Sequence, residues 1–471
     1  MTLRMIVTRP LQPLFVAAFA AAVATLATPV GGALAQAADT DDVLRIDLPS
    51  ALRLADERNL DVAIYVERVA EATAKLTQAR MLAVPAVRVG ASTNRHDGTL
   101  QETSGNIVDA DRVARFSGLG AGAVGAGDVS VPGLSMSVDV ADAIFQPLVA
   151  RQNRAAVVAS SVANRHAVLI DVAGAYLEWI RARSERDVVV EALARATELA
   201  TLTASYAEAG EGLRADAEMA AVQPLLWEQR RAATDERIEA AAAELSRLLH
   251  LDSGVALEPV ERDVPSIEIF DGNESPAELV AQAVDGRPET EQLDALVAAA
   301  EDDLTAQRYG WFIPSVALGY SSGQFGGGPG SAVANTDHRD DLSLLLYWQF
   351  DAFGIGNRAR IDEKRARLRQ TSLERDKLRD TIAAEVRHGY ARVQSLRQQR
   401  SLTGPAAASA RSAYELHRDR IYDQQGLPLE ALQAMQTLAA AELAQVDVEA
   451  AYSLAQLRLH TAIGNPIDLA E

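Results

Sequence analysis

The sequence predicts a mostly α-helical protein with a small β part, built as two structural repeats. Each repeat runs helix, strand, strand, long helix, helix. Three observations predict this. First, the strand-like runs Leu134–Val140 and Leu342–Phe350 pass straight into helical patterns that continue to Tyr206 and to Tyr422. Second, the offset that carries Pro85 onto Pro314 also carries Gln78 onto Gln307 and Val87 onto Val316, so residues 48–89 lie over 277–318. Third, the chain is 48% hydrophobic but only 5% aromatic, a mix that suits long helices packed through small side chains.

Taken in order, residues 1–35 have the three parts of a secretory signal peptide. Arg4 and Arg9 precede the apolar run Leu14–Leu26, and Ala33-Leu34-Ala35 offers a small-x-small cleavage site. An N-terminal anchor helix is the other reading of this stretch. Its removal leaves a chain near −22, against the formal −20 of the whole. That charge argues against nucleic acid as a partner. No later run of eighteen apolar residues is seen, so a membrane span would have to be made of strands. Cysteine is absent, which excludes disulfides, thiolate metal sites, a cysteine nucleophile and a lipid-modified cysteine.

The first repeat is expected over 36–274. A helix over 44–84 stops at Pro85, and a strand follows at about 86–93. Thr93–Gly133, Gly-rich and polar, reads as a long exposed loop. A strand at about 133–141 leads at Asp142-Ala143 into the long helix, whose stripe includes Val168, Val172, Tyr176 and Ile180. Gly210 and Gly212 break it, a helix over about Arg214–Leu251 turns back, and 252–274 is an irregular connection. The second repeat, 275–471, has a helix at 276–312 ending at Pro314, then a strand at about 315–321. The loop Ser321–Ala334, a strand at about 341–350, the Asp351-Ala352 junction and a helix over Gly356–Tyr422 follow. A break at Gln424–Leu429 precedes a return helix to Ile463. Helices of about 65 residues are about 100 Å long, and the two shorter helices of each half, end to end, match that length. The result is a rod of helical hairpins with strands at one end.

The strands alternate. Leu134, Met136, Val138 and Val140 face one way, with Ser135, Ser137 and Asp139 opposite; Leu342, Leu344, Leu346, Trp348 and Phe350 share a face, as do Val316, Leu318 and Tyr320. An apolar row toward lipid and a polar row toward a lumen is one reading; half-buried strands of a small soluble sheet is the other. On the first, four strands are too few to close a barrel, and an open edge is forbidden in lipid, so several chains must share one.

Two such halves behind a signal peptide resemble the TolC-like outer-membrane efflux proteins (outer membrane factors). The marks are Pro85 and Pro314 before strands, the Asp142-Ala143 and Asp351-Ala352 junctions, and the hairpin tips Tyr206/Gly210/Leu213 and Tyr422/Gly426/Leu429. Asn465-Pro466 resembles the family's end. The resemblance implies a homotrimer in the cell outer membrane, with a 12-stranded β-barrel continuous with a periplasmic α-helical tunnel. It implies a passive exit duct for small molecules in a tripartite export system, with a periplasmic adaptor (membrane fusion) protein and an inner-membrane pump as partners. The tips, Tyr206, Gly210, Gly212, Leu213, Asp216 and Glu218 with Tyr422, Asp423, Gly426, Leu429 and Glu430, would be the closed entrance and the adaptor-docking surface. Without a cysteine after the signal, anchoring would rest on outer-membrane lipid around the barrel. A duct for one-step protein secretion and a periplasmic coiled-coil scaffold are the alternatives.

No catalytic, cofactor or metal site is expected. Gly120–Gly125 has GxGxxG spacing but neither follows a clear strand nor opens a helix. His417-Arg418-Asp419 lies inside a helix, and His338 with Asp337, Asp340 and Asp341 reads as a polar extracellular loop. No HExxH, P-loop or GxSxG occurs.

Overall fold

The computed structural model describes residues 43–118, 121–124, 130–132, 134–252, 254–329, 336–350, 354–422 and 427–467. The expectations for the signal segment and for Asp351, Ala352, Asp423 and Gly426 lie outside them.

Two helices set the length. The helix α3 (Val140–Glu208) has 69 residues and α7 (Ile355–Tyr422) has 68; at 1.5 Å per residue each is about 100 Å long. Beside them toward the strands lie α2 (Leu60–Met81) and α6 (Pro288–Tyr309), of 22 residues each. Toward the other end lie α4 (Arg214–Leu248) and α8 (Pro428–Ala462), of 35 each. Neighbours run α2, α3, α6, α7 in the strand half and α4, α3, α8, α7 in the far half. One window of α3 reaches a mean hydropathy of 1.2 over eighteen residues. That helix packs against neighbours along both halves, so its apolar content serves the row.

The helices expected over 44–84 and 276–312 are each broken. The first splits into α1 (Leu48–Arg58) and α2 at Asn59, which takes an extended conformation (ψ 129°), accepts from the amide of Asp61 at 2.8 Å and so caps α2. The second splits into α5 (Pro276–Gly286) and α6 at Arg287 (ψ 133°), where the following proline disfavours helical geometry. These breaks turn α1 and α5 aside, and short helices meet end to end at the seams. Asn59 Nδ2 donates to the carbonyl of Leu248, the last residue of α4, at 2.8 Å. At the other seam Gly464, just past α8, lies against the backbone of Gly286.

The waist layer forms around these seams. β1 (Val43–Ile46) pairs in parallel with β9 (Ala256–Pro259), so the stretch expected to be irregular contains a strand. Ile46, Leu48 and Leu52 bury against Val172, Tyr176 and Trp179 of α3. Phe270, Leu279 and Ala283 bury against Val386 and Val393 of α7 and Leu459 of α8. The strap 260–275 is held by side chains replacing water at its backbone: Gln456 Oε1 accepts from the amides of Ile269 (3.2 Å) and Phe270 (2.9 Å), and Tyr390 donates to the Gly272 carbonyl at 3.1 Å.

The strands form a four-track antiparallel sheet. The first track is β2 (Ala86–Arg88) and β3 (Gly90–His96). The second is β5 (Ile107–Gly118) and β8 (Leu134–Asp139), the third β10 (Ser315–Pro329), the fourth β11 (Thr336–Tyr347). β10 pairs with β8 along Ser315–Tyr320, with β5 along Ser322–Pro329 and with β11 on its other side. Thr93–Gly133 is therefore largely not the expected loop: it holds most of β3, all of β5, and the short strands β4 (Thr99–Gln101), β6 (Ala121–Val124) and β7 (Ser130–Pro132). β10 continues to Pro329 through most of the loop expected over Ser321–Ala334, whose remainder lies outside the described residues, and the fourth strand starts earlier and ends earlier than 341–350. Gly and Ala side chains carry little strand signal, and the neighbouring strands supply the hydrogen bonds that define the sheet.

Gly464 has φ +93°, and a Cβ there would lie 2.8 Å from the Gly286 carbonyl. Gly464→Ala is expected to destabilise the protein by about 2 kcal/mol or more, read as a lowered midpoint in thermal unfolding followed by circular dichroism. An unchanged midpoint would show that this seam is not tightly packed.

Candidate functional site

Two sets of candidate features lie at the two ends. At the strand end, pairing aligns Val87, Met136, Leu318 and Leu344 in one row, Val138, Val316 and Leu346 in the next, and Leu134, Tyr320 and Leu342 in a third. On the outer track, Leu342 is 75% and Leu344 69% exposed. The opposite face carries Ser135, Ser137 and Asp139 beside Ser315, Ala317 and Gly319. At the base of the apolar face, exposed Trp311 and Phe312 stack at 3.9 Å, Phe350 meets Trp311 edge-on, and Trp348 Nε1 donates to the Phe312 carbonyl at 3.2 Å. Beyond Tyr320 the same face turns polar: Tyr320 donates to Asp340 at 2.9 Å, and His338 lies 3.2 Å from Asp340. These residues belong to a strand, which corrects their assignment to a loop. Among the described residues no cluster of metal-ligating side chains exists.

The strand-to-helix junction sits slightly earlier than expected. Asp139 ends β8, and its carboxylate accepts from the Asp142 amide at 3.0 Å, which caps α3. Asp142 and Ala143 fall in the first turn. Ser315 Oγ donates to the other oxygen of Asp139 at 3.2 Å, tying helix start to the strand of the second half. Pro85 and Pro314 each stand one residue before a strand, β2 and β10.

At the far end, α3 stops in a turn that needs its glycines. The Tyr206 carbonyl accepts from the amides of Glu211 and Gly212 at 3.0 and 3.1 Å, Gly210 has φ +79°, and a Cβ on Gly212 would meet Ala207 N at 3.2 Å. Leu213 occupies the N-cap of α4 and is 69% exposed; Asp216 follows in the first turn, and Glu218 is exposed. In α8, Leu429 is exposed and Glu430, in the first turn, lies 3.5 Å from both Arg420 and His417 of α7. Two tyrosines join the tips. Tyr206 donates to the Ile421 carbonyl at 2.9 Å, and Tyr422 donates to Glu198 of α3 at 2.8 Å. Of the predicted tip residues, Tyr206 and Tyr422 thus join the two long helices, through the partners Ile421 and Glu198.

A second tie lies above. Glu442 of α8 is buried between Arg195 of α3 (2.8 Å) and Arg411 of α7 (2.6 Å). Burial alone would raise its carboxyl, but hydrogen bonds from the two guanidiniums outweigh it and hold the group below the usual glutamate range. Sequence reasoning missed Glu442, although its spacing from Ala431, Met435 and Leu438 puts it on the buried stripe of α8; a carboxylate on such a stripe calls for a cation opposite.

Residues 279–465 match the family model described as outer membrane efflux protein. The match lies in the second half of the chain and covers less than half of it, so it is a resemblance to that family. That family and the solved structures named below are outer-membrane proteins. No curated protein matches by sequence. Among solved structures, the outer-membrane channel OprN is similar with a TM-score of 0.72 at 18% identity, covering 91% of this chain and 94% of that one. The outer membrane protein VceC from Vibrio cholerae gives 0.71 at 17%, covering 89% and 96%. The Campylobacter jejuni CmeC outer membrane channel gives 0.70 at 14%, covering 91% and 90%. At these identities the likeness is one of fold.

Because the Glu442 carboxyl is lowered in the folded protein, its contribution is present above the ordinary glutamate pKa of about 4.3 and is lost as pH falls through the folded value. Glu442→Gln is expected to cost about 3 kcal/mol at neutral pH. The gap from wild type should close below about pH 4. Unfolding midpoints across pH check both parts.

Proposed function

We propose that the protein is a passive outer-membrane channel, the exit duct of a tripartite export system for small molecules. The observation that carries this is the sheet. It has an exposed apolar face and two open edges, β2/β3 and β11, and a free edge is not tolerated in hydrocarbon. Three copies would join these edges into one twelve-stranded barrel, within the size range of membrane barrels. The helix row has matching free sides: α7 on one, α2 and α4 on the other. Joined in the same ring, the rows would enclose a tunnel below the barrel, with each chain supplying two repeats, 36–274 and 275–471, after loss of its signal peptide.

In this reading the tips form the periplasmic entrance, and exposed Leu213, Leu427 and Leu429 suit them to docking an adaptor that links the duct to an inner-membrane pump. The tyrosine bonds to Ile421 and Glu198 hold α3 and α7 together where the bore narrows. Asp216, Glu218, Asp423 and Glu430 would give that end a negative rim favouring cations. The chain itself would hydrolyse nothing; the pump supplies the energy.

Detergent should be required to extract the protein from outer membranes, and unboiled samples should migrate as a trimer that dissociates on heating. Release by salt alone would overturn the channel reading. In planar bilayers, Tyr206→Phe combined with Tyr422→Phe is expected to raise single-channel conductance several-fold. Equal conductance would remove the tyrosines from the gate. Gly426→Pro or Glu430→Lys should alter dye export with trimer migration unchanged; normal export in both would count against the tip assignment.

A further inference from the structure

Halfway along the helix row, α7 and α8 each present opposite characters on opposite faces. Val386, Val393 and Leu459 are buried under the waist layer. Their neighbours in sequence, Arg392 and Arg458, project the other way and are exposed. Between those arginines lies a cavity of about 450 Å³ whose floor is Gly389, Ala451, Leu454 and Ala455. The floor is low because Gly389 lets the helices approach: a Cβ there would already touch Leu459 Cδ1 at 3.4 Å. A smaller cavity of about 230 Å³ adjoins it, sharing Arg458, Glu385 and Ala462 and reaching His166 of α3.

The charges around this groove are unevenly committed. Glu385 and Glu289, the carboxylates lining the two cavities, are both engaged by Arg287, at 2.5 and 2.8 Å. Among the described residues neither Arg392 nor Arg458 has a hydrogen-bond or ion-pair partner, and His388 lines the same cavity. Counting Arg287, Arg392 and Arg458 against Glu289 and Glu385, the groove is locally positive in a chain of net −20. Two free guanidiniums over a small apolar floor match an anionic head attached to a compact apolar body, since guanidinium forms forked, charge-assisted bonds to carboxylate, sulfonate or phosphate oxygens.

We infer that this groove is a binding site for small amphiphilic organic anions on the lumen wall of the tunnel. The inference rests on the channel reading, because it is closure of the helix row that makes this face a lumen. The waist layer would obstruct the bore if it lay inside, so it belongs outside and the groove inside. In a ring of three copies, the arginines form a cationic belt between negatively charged ends. Such a belt gives an anion a stopping point midway along a duct whose overall charge repels it. Arg392 and Arg458 bind the anionic group, and Leu454 with the alanines takes the apolar body.

The test uses the full-length protein and 2-naphthalenesulfonate as probe, with sulfate as the anion lacking an apolar body. Block of single-channel current in planar bilayers and calorimetry on the detergent-solubilised protein report the site separately. Wild type should be blocked and should bind the probe. Arg392→Ala with Arg458→Ala should weaken both about tenfold or more, the loss of at least one charge-assisted contact. The double lysine variant should fall between, and sulfate should act much more weakly than the probe. Intact conductance with equal block and equal binding in wild type and the double alanine variant would overturn the groove and leave the channel standing. Absence of conductance with probe binding lost in the double alanine variant would overturn the channel and leave the groove. Sulfate as effective as the probe would overturn the role of the apolar floor.

Discussion

The structure depends on what can be done with unpaired backbone groups at the edges of a sheet. Four tracks of strand leave the outer amides and carbonyls of β2/β3 and β11 without partners from this chain, while the face between them is lined with Leu342, Leu344 and Leu346. In water such an edge invites indiscriminate pairing; in lipid it is intolerable. The other features follow from that pressure. The helix row has the same number of neighbours across as the sheet has tracks, so sheet and helices can close together. Asp139 caps α3 while bonding to Ser315, and this keeps sheet and helix row in register at the point where they meet.

Below that junction, polar ties add to the apolar cluster of Leu199, Tyr414, Ile421, Leu432, Met435 and Leu438. Helices rich in alanine approach closely but bury little area per residue. Glu442 between Arg195 and Arg411, Glu185 against Arg237 at 2.6 Å, and the tip tyrosines tie neighbouring helices at intervals along the far half. Each tie is directional, which fixes the axial position of one helix against another better than sliding apolar surfaces can. At the waist the opposite regime holds: Tyr176 and Trp179 are wholly buried, and burial together with the Glu261 carboxylate pushes the Tyr176 hydroxyl well above its ordinary range.

Much of this was legible in the sequence wherever the signal is periodic over many residues. The extents of α3, α4, α7 and α8, the turn glycines Gly210 and Gly212, and the apolar rows of β8, β10 and β11 all follow from spacing. What escaped is local or cooperative. The end of β3 looks like loop because Gly, Ser and Asn make poor strands alone, whereas β5 has the strand formers Ile107, Val108, Val113 and Phe116 interleaved with Asp and Arg, and its partners complete it. The breaks at Asn59 and Arg287 sit in otherwise good helix sequence, where one capping side chain and one proline decide the path. Gln456 and Ser453, which hold the strap, look like ordinary polar positions of a helix. Of the tip, Tyr206 and Tyr422 could be read as the last residues before the breaks. Their partners Glu198 and Ile421 could not, because nothing in one helix records which residue of another lies opposite.

The seams at Asn59 and at Gly464 divide the row into segments of matched size: 22 residues on the strand side in both α2 and α6, 35 on the far side in both α4 and α8. The long helices cross both seams without interruption. Length in such a molecule is therefore inherited in pairs. An insertion of two turns in α4 would leave its end unsupported unless α8, α3 and α7 gained the same two turns at the same height. Extra residues in the strap or beside β9 would disturb no helix at all. Divergence of related chains should accordingly be conservative in the staves and permissive at the hoop, so that the length of the row changes in whole steps or not at all.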